Sequence, residues 1–209
     1  MQAKKTKRGY DASRRRASSG QRRERILQTA RKLFGHYGYG ATSIERIAGE
    51  AGVAVPTIYA IYRSKRALLL ALLDQADAQA DVAGLLSDLH AAAGMPRKQL
   101  RRLVSFTCRF YALAGDIVDI ARGAGNTNED LLALWQEGEE RRLRSQRPLA
   151  DAWYRDGALR KSLGAKDALD ILWAMTGADL YHLFVVDRRW SAARYEAWLE
   201  NTLERLLLR

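Results

Sequence analysis

The chain has 209 residues, of which 47% are hydrophobic, a net charge of +11 and one cysteine, Cys108. This length and apolar content are enough for one or two domains with a real core. A single cysteine excludes an internal disulfide and is interpreted as a small buried hydrophobe. No signal-peptide pattern follows the basic N-terminus, and no apolar run reaches the roughly 18 residues of a membrane span. We therefore expect a cytoplasmic protein without a membrane partner.

Positive charge is concentrated in the first third of the chain. Residues 1–66 carry sixteen Lys and Arg against four Asp and Glu, a net +12, whereas residues 67–209 carry nineteen against twenty, a net −1. This asymmetry favours a polyanionic partner for the first segment alone. Within that segment, residues 1–20 are predicted to form a basic arm that is disordered when free. The arm can lie along phosphates or enter a minor groove, or it can be a solubilising tail.

An amphipathic helix is predicted from about Arg22 to Tyr37, with one apolar face at helical spacing. The glycine-rich sequence GHYGYG overlaps its end. A phosphate loop needs a preceding strand and a different spacing of glycines. We therefore interpret GHYGYG as a turn that ends the helix.

Two short helices joined by a tight turn are predicted next. Thr42 and Glu45 fit a capping box at the start of the first, although Glu45 can instead accept a hydrogen bond from cytosine. Gly52 stands where a left-handed residue ends that helix. Pro56 falls in the first turn of the second helix, about Val55 to Tyr62, where its missing amide costs nothing. This second helix is too short to be stable alone, and a short helix held outward by another fits the major groove of DNA.

The segment AGVAVPTIYAIYRSKRALL, residues 51–69, resembles the helix-turn-helix signature of the TetR family of transcriptional repressors. The resemblance of motif covers roughly residues 26–73, and beyond it only length and helix layout are similar. It implies an all-α fold with a three-helix DNA-binding domain, residues 21–66. A larger helical domain for ligand binding and dimerisation, residues 67–209, follows. The matching residues are Ala48, Ala51, Gly52, Val53, Thr57, Tyr59, Lys65, Ala67, Leu68 and Leu69.

The resemblance also implies which side chains contact a double-stranded DNA operator. The chain departs from the family where Ala54 replaces a common Ser cap, Val55 a frequent Lys, and Ala60 a larger ring or His. The second helix is therefore unusually apolar, and contact with thymine methyl groups is its natural way of reading bases. Ile58 is predicted to face inward, and Ile61 to face either the core or the groove. The implied base contacts are Val55, Pro56, Thr57, Tyr59, Ala60 and Ile61, and the implied phosphate contacts are Thr42, Ser43, Tyr59, Tyr62 and Lys65.

The rest of the chain is predicted to be helical, at about residues 65–90, 97–114, 128–156, 166–186 and 191–208. Pro148 is expected to kink or break the third of these helices. Because one helix-turn-helix reads only a few base pairs, we expect a two-fold homodimer. The family builds its dimers from the last two helices, here residues 166–208. Candidate interface residues, which can alternatively face the protomer's own core, are Trp198, Leu199, Leu203 and Leu206.

Aromatic residues suggest a ligand pocket in the second domain, which contains all five Trp residues. In the family, the middle helices often enclose an apolar pocket for an inducing molecule, which needs ring-lined walls and a few polar anchors. Ordinary core packing is the alternative for each residue. A metal site is not predicted, because Asp179 and His182 alone do not define one. The candidate walls are Phe106, Phe110, Trp135, Trp153 and Trp173, and the candidate anchors are Asp179 and His182.

Three classes of function follow from these patterns. The favoured one is a ligand-responsive dimeric repressor that releases operator DNA when it binds a small apolar or aromatic molecule. A non-specific or architectural DNA-binding protein is the alternative. An enzyme is remote, because the chain has no nucleophile elbow, metal-ligand cluster, phosphate loop or dinucleotide fingerprint. We therefore predict no catalytic residue and no cofactor.

Overall fold

The computed structural model describes residues 7–124 and 129–209, and these are almost entirely helical. Outside the helices, the described residues contain one isolated antiparallel bridge, between Leu159 and Leu208, and no β-strand. This confirms the predicted all-α fold. The chain divides into two compact units, residues 1–72 (unit 1) and residues 73–209 (unit 2). The helices are α1 (Lys7–Ala41), α2 (Ile44–Ala51), α3 (Val55–Tyr62), α4 (Lys65–Ala80), α5 (Val82–Ala91), α6 (Pro96–Ala124), α7 (Glu129–Arg155), α8 (Ala165–Met175), α9 (Ala178–Tyr181), a π-helical turn (His182–Asp187) and α10 (Ala192–Leu207).

The core of unit 1 joins the first four helices. Each helix contributes apolar side chains at helical spacing, so that one face of each is buried. Gly38, at φ +80°, breaks the regular helix of α1 near its end and turns the chain toward α2. The buried apolar residues are Ile26, Leu27, Ala30, Leu33, Phe34 and Tyr39 of α1, Ile44, Ile47, Ala48 and Ala51 of α2, Ile58 of α3, and Leu68, Leu69 and Leu72 of α4.

Helix α1 begins at Lys7, well before the predicted start near Arg22. Residues 7–20, which we expected to be disordered when free, are thus helical in this structure, while residues 1–6 lie outside the described residues. This extension contains several Arg and Ala residues, which favour helix, and no proline. The side chains of residues 17–25 are exposed, so this part of the helix does not depend on core packing. The domain boundaries at 20 and 66 and the role of the arm stay predictions.

Unit 2 is built on the packing of α6 against α7 and α10, and of α7 against α8. Trp153 of α7 is 1% exposed, and its indole N–H donates to Oε1 of Gln99 at 2.7 Å. Tyr195 and Leu199 of α10 are fully buried in the same core. Cys108 is also buried there, and burial raises the pKa of its thiol to about 12, which fits the interpretation of a small hydrophobe.

Several helices of unit 2 differ in their limits from the predicted ones, among them the predicted helix 166–186, which is divided into α8, α9 and the π-helical turn. The predicted helix 65–90 breaks at Asp81, at φ +62°, whose carboxylate caps α5 by accepting from the Gly84 amide at 3.0 Å. Helix α6 continues through Gly115, beyond the predicted end at residue 114, because Ala114, Ile117 and Val118 keep its apolar face buried. Helix α7 continues through the exposed Pro148, so of the two predicted effects, a kink or a break, the break does not occur.

In the described residues, no single helix is long and apolar enough to cross a membrane. The two segments Ala165–Met175 and Ala178–Asp187, bent by 43° at a short break, pass this test only as a pair and only by length and composition. Ala168, Leu169 and Leu172 of the first segment are buried in the core of unit 2, as a core helix of this composition would be.

Candidate nucleic-acid interface

The start of α2 is capped by Ser43, one residue later than predicted. The Ser43 hydroxyl accepts a hydrogen bond from the Arg46 amide at 3.2 Å. Thr42 is fully buried, and its hydroxyl lies 2.8 Å from the Gly38 carbonyl and 3.2 Å from the Leu33 carbonyl. The predicted cap at Thr42 is therefore wrong. Its hydroxyl donates to carbonyls of α1 and so links that helix to the start of α2. In this conformation the hydroxyl is not available to donate to a phosphate.

Glu45 contributes to the same helix start. Its carboxylate accepts hydrogen bonds from its own backbone amide and from the Ser43 hydroxyl, and these bonds lower its pKa. A carboxylate here also interacts favourably with the positive end of the helix dipole. This geometry favours the helix-start interpretation of Glu45 over a contact with cytosine.

The turn between α2 and α3 follows the predicted pattern. Gly52 is left-handed, at φ +63°, and its amide donates to the last carbonyls of α2. Ala54 stands at the N-cap of α3 without a side-chain hydrogen bond, and Pro56 lies in the first turn. The start of α3 therefore leaves backbone amides without an intrahelical partner.

Helix α3 has a buried side and an exposed side. Ile58 is fully buried, which confirms that it faces inward. Pro56, Tyr59 and Ala60 are exposed, and their spacing of three and four residues places them on one face. Tyr59 is 47% exposed. The other three predicted base contacts, Val55, Thr57 and Ile61, are half-buried at the edges of this face.

Two predicted phosphate contacts have their polar groups engaged inside unit 1. The Tyr62 hydroxyl donates to the Arg23 carbonyl at 3.1 Å, and burial raises its pKa. The Lys65 ammonium donates to the carbonyls of Tyr39 at 2.8 Å and Thr42 at 2.9 Å, and lies 4.3 Å from the centre of the Tyr39 ring. An ammonium has three N–H donors, so two carbonyls and one ring face account for all of them. Lys65 thus links the backbone of residues 37–46, where α1 ends and α2 begins, which we call the α1–α2 corner. Burial lowers the pKa of the Lys65 ammonium.

We expect Lys65→Met to lower the free energy of unfolding by about 1–3 kcal/mol, because two carbonyls would lose a charged donor. The salt dependence of DNA binding should stay the same. Loss of a phosphate contact would instead make the slope of log association constant against log salt concentration shallower by about 0.9. Urea denaturation and titrations of a DNA duplex at several salt concentrations measure both quantities. Lys98→Met, at an exposed lysine of unit 2, is the matched control. An unchanged stability with a shallower slope would restore Lys65 as a phosphate contact.

Sequence reasoning missed a cation held at the same corner. The Arg46 guanidinium lies 3.9 Å from the centre of the Tyr37 ring, and Tyr37 is 42% exposed. His36 packs edge-on against the same ring, with 4.4 Å between centroids. An arginine in the first turn of α2, close in sequence to a tyrosine in the last turns of α1, was the available signal.

The comparison with known proteins agrees with this geometry. The family model described as bacterial regulatory proteins, tetR family, matches residues 26–72, which include α2 and α3 and most of unit 1. This segment of the chain is therefore similar to the DNA-binding segment of TetR-family regulators. The regulator YerO of Bacillus subtilis is 42% identical over 50 residues, which is 24% of this chain but only 17% of YerO. The regulator EthR of Mycobacterium tuberculosis is 26% identical over 170 residues, or 81% of this chain and 78% of EthR.

Solved structures show a likeness of fold that covers most of the chain. NalD, the secondary repressor of the MexAB-OprM multidrug efflux pump in Pseudomonas aeruginosa, superposes with a TM-score of 0.72 at 21% identity, covering 92% of this chain and 98% of NalD. A putative transcriptional regulator from Saccharomonospora viridis in complex with choline gives 0.69 at 21% identity, over 91% and 99%. These proteins are described as regulators rather than enzymes, in agreement with the prediction that this chain is not an enzyme.

In unit 2, the predicted pocket walls line neither of two concave sites in the described part of the chain. Trp153 is a core residue, and Phe106 and Phe110 stack on each other with 6.2 Å between ring centres. Trp135 and Trp173 are only partly buried. One cavity of about 130 Å³ and one shallow groove of about 440 Å³ are lined mainly by polar side chains, and neither contains a predicted wall residue. Core packing accounts for Trp153, while the roles of the other walls stay predictions.

The two predicted anchors are paired with charged neighbours. Asp179 is exposed and forms an ion pair with Arg122. His182 lies with Nδ1 2.7 Å from an Asp119 oxygen and Nε2 3.5 Å from an Asp187 oxygen. No cluster of three or more His, Cys, Asp or Glu side chains that could hold a metal ion occurs in the described part of the chain. Neither anchor lies on the cavity or the groove.

Proposed function

We propose that this chain is a transcriptional repressor that binds operator DNA as a homodimer and responds to a small molecule. The single observation that carries DNA binding is α3. It is anchored by the buried Ile58 and presents Pro56, Tyr59 and Ala60 on one exposed face. It does so within the segment that carries the entire excess of positive charge. A helix held this way fits a major groove, and the charge supplies attraction to phosphates.

The side chains on the exposed face of α3 favour recognition of a specific base sequence over purely non-specific binding to DNA. Proline, alanine and the half-buried Val55 and Ile61 can contact thymine methyl groups, which only the major groove presents. Selection of a random duplex library with the full-length chain tests this proposal. We expect enrichment of an inverted repeat with A·T pairs under α3. A library that stays random after several rounds would favour the architectural alternative.

The proposed homodimer uses the π-helical turn and α10. Leu183 and Val186 are each 53% exposed, and Leu206 is 45% exposed, although all three are large apolar residues. Two of the predicted interface residues, Leu199 and Leu203, are instead fully buried within the protomer. We therefore assign the contact between protomers to the exposed leucines and valine, with the chain acting in the cytoplasm, where bacterial DNA lies.

The proposed ligand response centres on a buried polar group where α7 faces α8. The Thr176 hydroxyl oxygen accepts from Arg142 at 3.1 Å and from the Gln146 amide at 2.9 Å. Three neighbouring buried atoms, Arg142 Nε, Gln146 Oε1 and Trp173 Nε1, have no hydrogen-bond partner in the described chain. Unsatisfied buried polar atoms cost about 1–3 kcal/mol each, so a molecule that satisfies them gains affinity. An apolar ligand with one hydroxyl or carbonyl group fits this set of donors and acceptors.

We expect such a ligand to quench Trp173 fluorescence and to lower operator affinity by a population shift. A screen of apolar alcohols and ketones by intrinsic fluorescence, followed by operator titration, measures both effects. Trp173→Phe should abolish the fluorescence response, and Trp190→Phe, which alters a ring packed elsewhere against Phe184, should retain it. A response that survives Trp173→Phe would place the ligand elsewhere. A ligand that binds without changing operator affinity would contradict the proposed coupling between ligand binding and DNA release.

A further inference from the structure

The α1–α2 corner has one exposed cation that the predicted set of DNA contacts did not include. Arg46 lies in the first turn of α2, and side chains on a helix lean toward its N-terminus. Its guanidinium accordingly reaches back to α1 and lies over the Tyr37 ring, with its central carbon 3.9 Å from the ring centre. The N-terminus of a helix in this position is where a DNA phosphate is expected.

The other polar groups at this corner are already engaged. Thr42 donates to carbonyls of α1, and Ser43 accepts from the Arg46 amide. Glu45 accepts from its own amide and from Ser43, and the Lys65 donors are directed to two carbonyls and a ring. A phosphate approaching α2 would therefore meet few free side-chain donors among these residues.

Arg46 differs from them in having its donors available. A ring contact engages the face of a guanidinium and leaves the N–H groups at its edge free to bind two phosphate oxygens. No ion pair between Arg46 and a carboxylate is found in the described part of the chain. The ring of Tyr37 also restricts the side chain, so less conformational entropy is lost when a phosphate binds.

We propose that Arg46, presented on the ring of Tyr37, is the side-chain phosphate contact beside α2, in place of the predicted Thr42 and Lys65. The inference rests on the proposed DNA-binding function and assigns one contact within it. Tyr37 acts through Arg46 as a positioning residue. Lys65 acts at the same corner by holding the backbone between α1 and α2.

The test is the salt dependence of operator affinity for full-length variants, using the selected duplex. Arg46→Gln should make the log–log slope shallower by about 0.9, which corresponds to a loss of about eightfold at 0.1 M salt. Arg46→Lys should keep the slope while binding less tightly, because a lysine cannot bind bidentately or stack flat. Arg144→Gln, at an exposed arginine of unit 2, is the matched control for loss of one charge.

A double-mutant cycle tests the role of the ring. Tyr37→Leu should weaken binding severalfold in the natural background and have no further effect when combined with Arg46→Gln. Circular dichroism and urea denaturation check that each variant is folded. A folded Arg46→Gln variant with the natural slope, or additive effects of the two substitutions, would overturn the inference. Failure of the unsubstituted chain to prefer the selected duplex would instead overturn the proposed function.

Discussion

Replacing Tyr59 with alanine is expected to weaken operator binding by roughly 1–3 kcal/mol, about five- to 150-fold. The ring is 47% exposed on the outward face of α3, so its removal takes away contact with DNA and little core packing. The thermal unfolding temperature should therefore stay close to that of the natural chain. Fluorescence anisotropy with labelled operator at fixed salt measures the loss of affinity.

Tyr154→Ala is the matched control for this substitution. Tyr154 is 56% exposed on α7 of unit 2, so it tests the loss of an exposed tyrosine away from α3. Its operator affinity should match that of the natural chain. If Tyr59→Ala is folded and binds operator as tightly as Tyr154→Ala does, α3 is not the recognition helix.

A glutamate at Leu206 is expected to dissociate the homodimer, whereas the same change at Leu203 is expected to unfold unit 2. Leu206 is 45% exposed on α10, so a charge there is solvated in the monomer but would be buried in a dimer. Leu203 is fully buried in the protomer, where an unpaired charge costs several kcal/mol whatever the oligomeric state. The two substitutions therefore separate interface from core within one helix.

Light scattering during size exclusion reports the mass, and circular dichroism reports folding. Leu86→Glu, at a 60% exposed leucine of α5, controls for adding a charge to an exposed apolar residue. We expect a folded monomer for Leu206→Glu, a folded dimer for Leu86→Glu, and a cooperative loss of structure for Leu203→Glu. A Leu206→Glu chain that stays dimeric would place the interface elsewhere.

The helix-turn-helix could be predicted because its determinants are local. The left-handed Gly52, the proline in the first turn of α3 and the inward-facing Ile58 are fixed by neighbours a few residues away. The error of one residue at the start of α2 has a clear cause. Thr42 and Ser43 are both good caps, and only the carbonyls at the end of α1, which Thr42 faces, decide between them.

The side-chain roles that were missed depend on contacts between helices. Lys65 meets the Tyr39 carbonyl across 26 residues of sequence, and no spacing rule identifies such a partner. The contact of Arg46 with the Tyr37 ring also requires the turn at Gly38. In unit 2, the sequence identifies aromatic residues but not their neighbours. Trp153 is therefore a core residue that donates a hydrogen bond to Gln99, although an indole side chain would equally suit the wall of a ligand pocket.

The ratio of affinities for the selected duplex and a random duplex of equal length and composition, at one salt concentration, tests the central claim most directly. Electrostatic attraction to phosphates contributes equally to both duplexes, so the ratio isolates base reading by α3. A specific regulator is expected to prefer its operator by about a thousandfold or more. A ratio close to one for the folded full-length chain would contradict a sequence-specific function and leave only non-specific attraction to the basic segment.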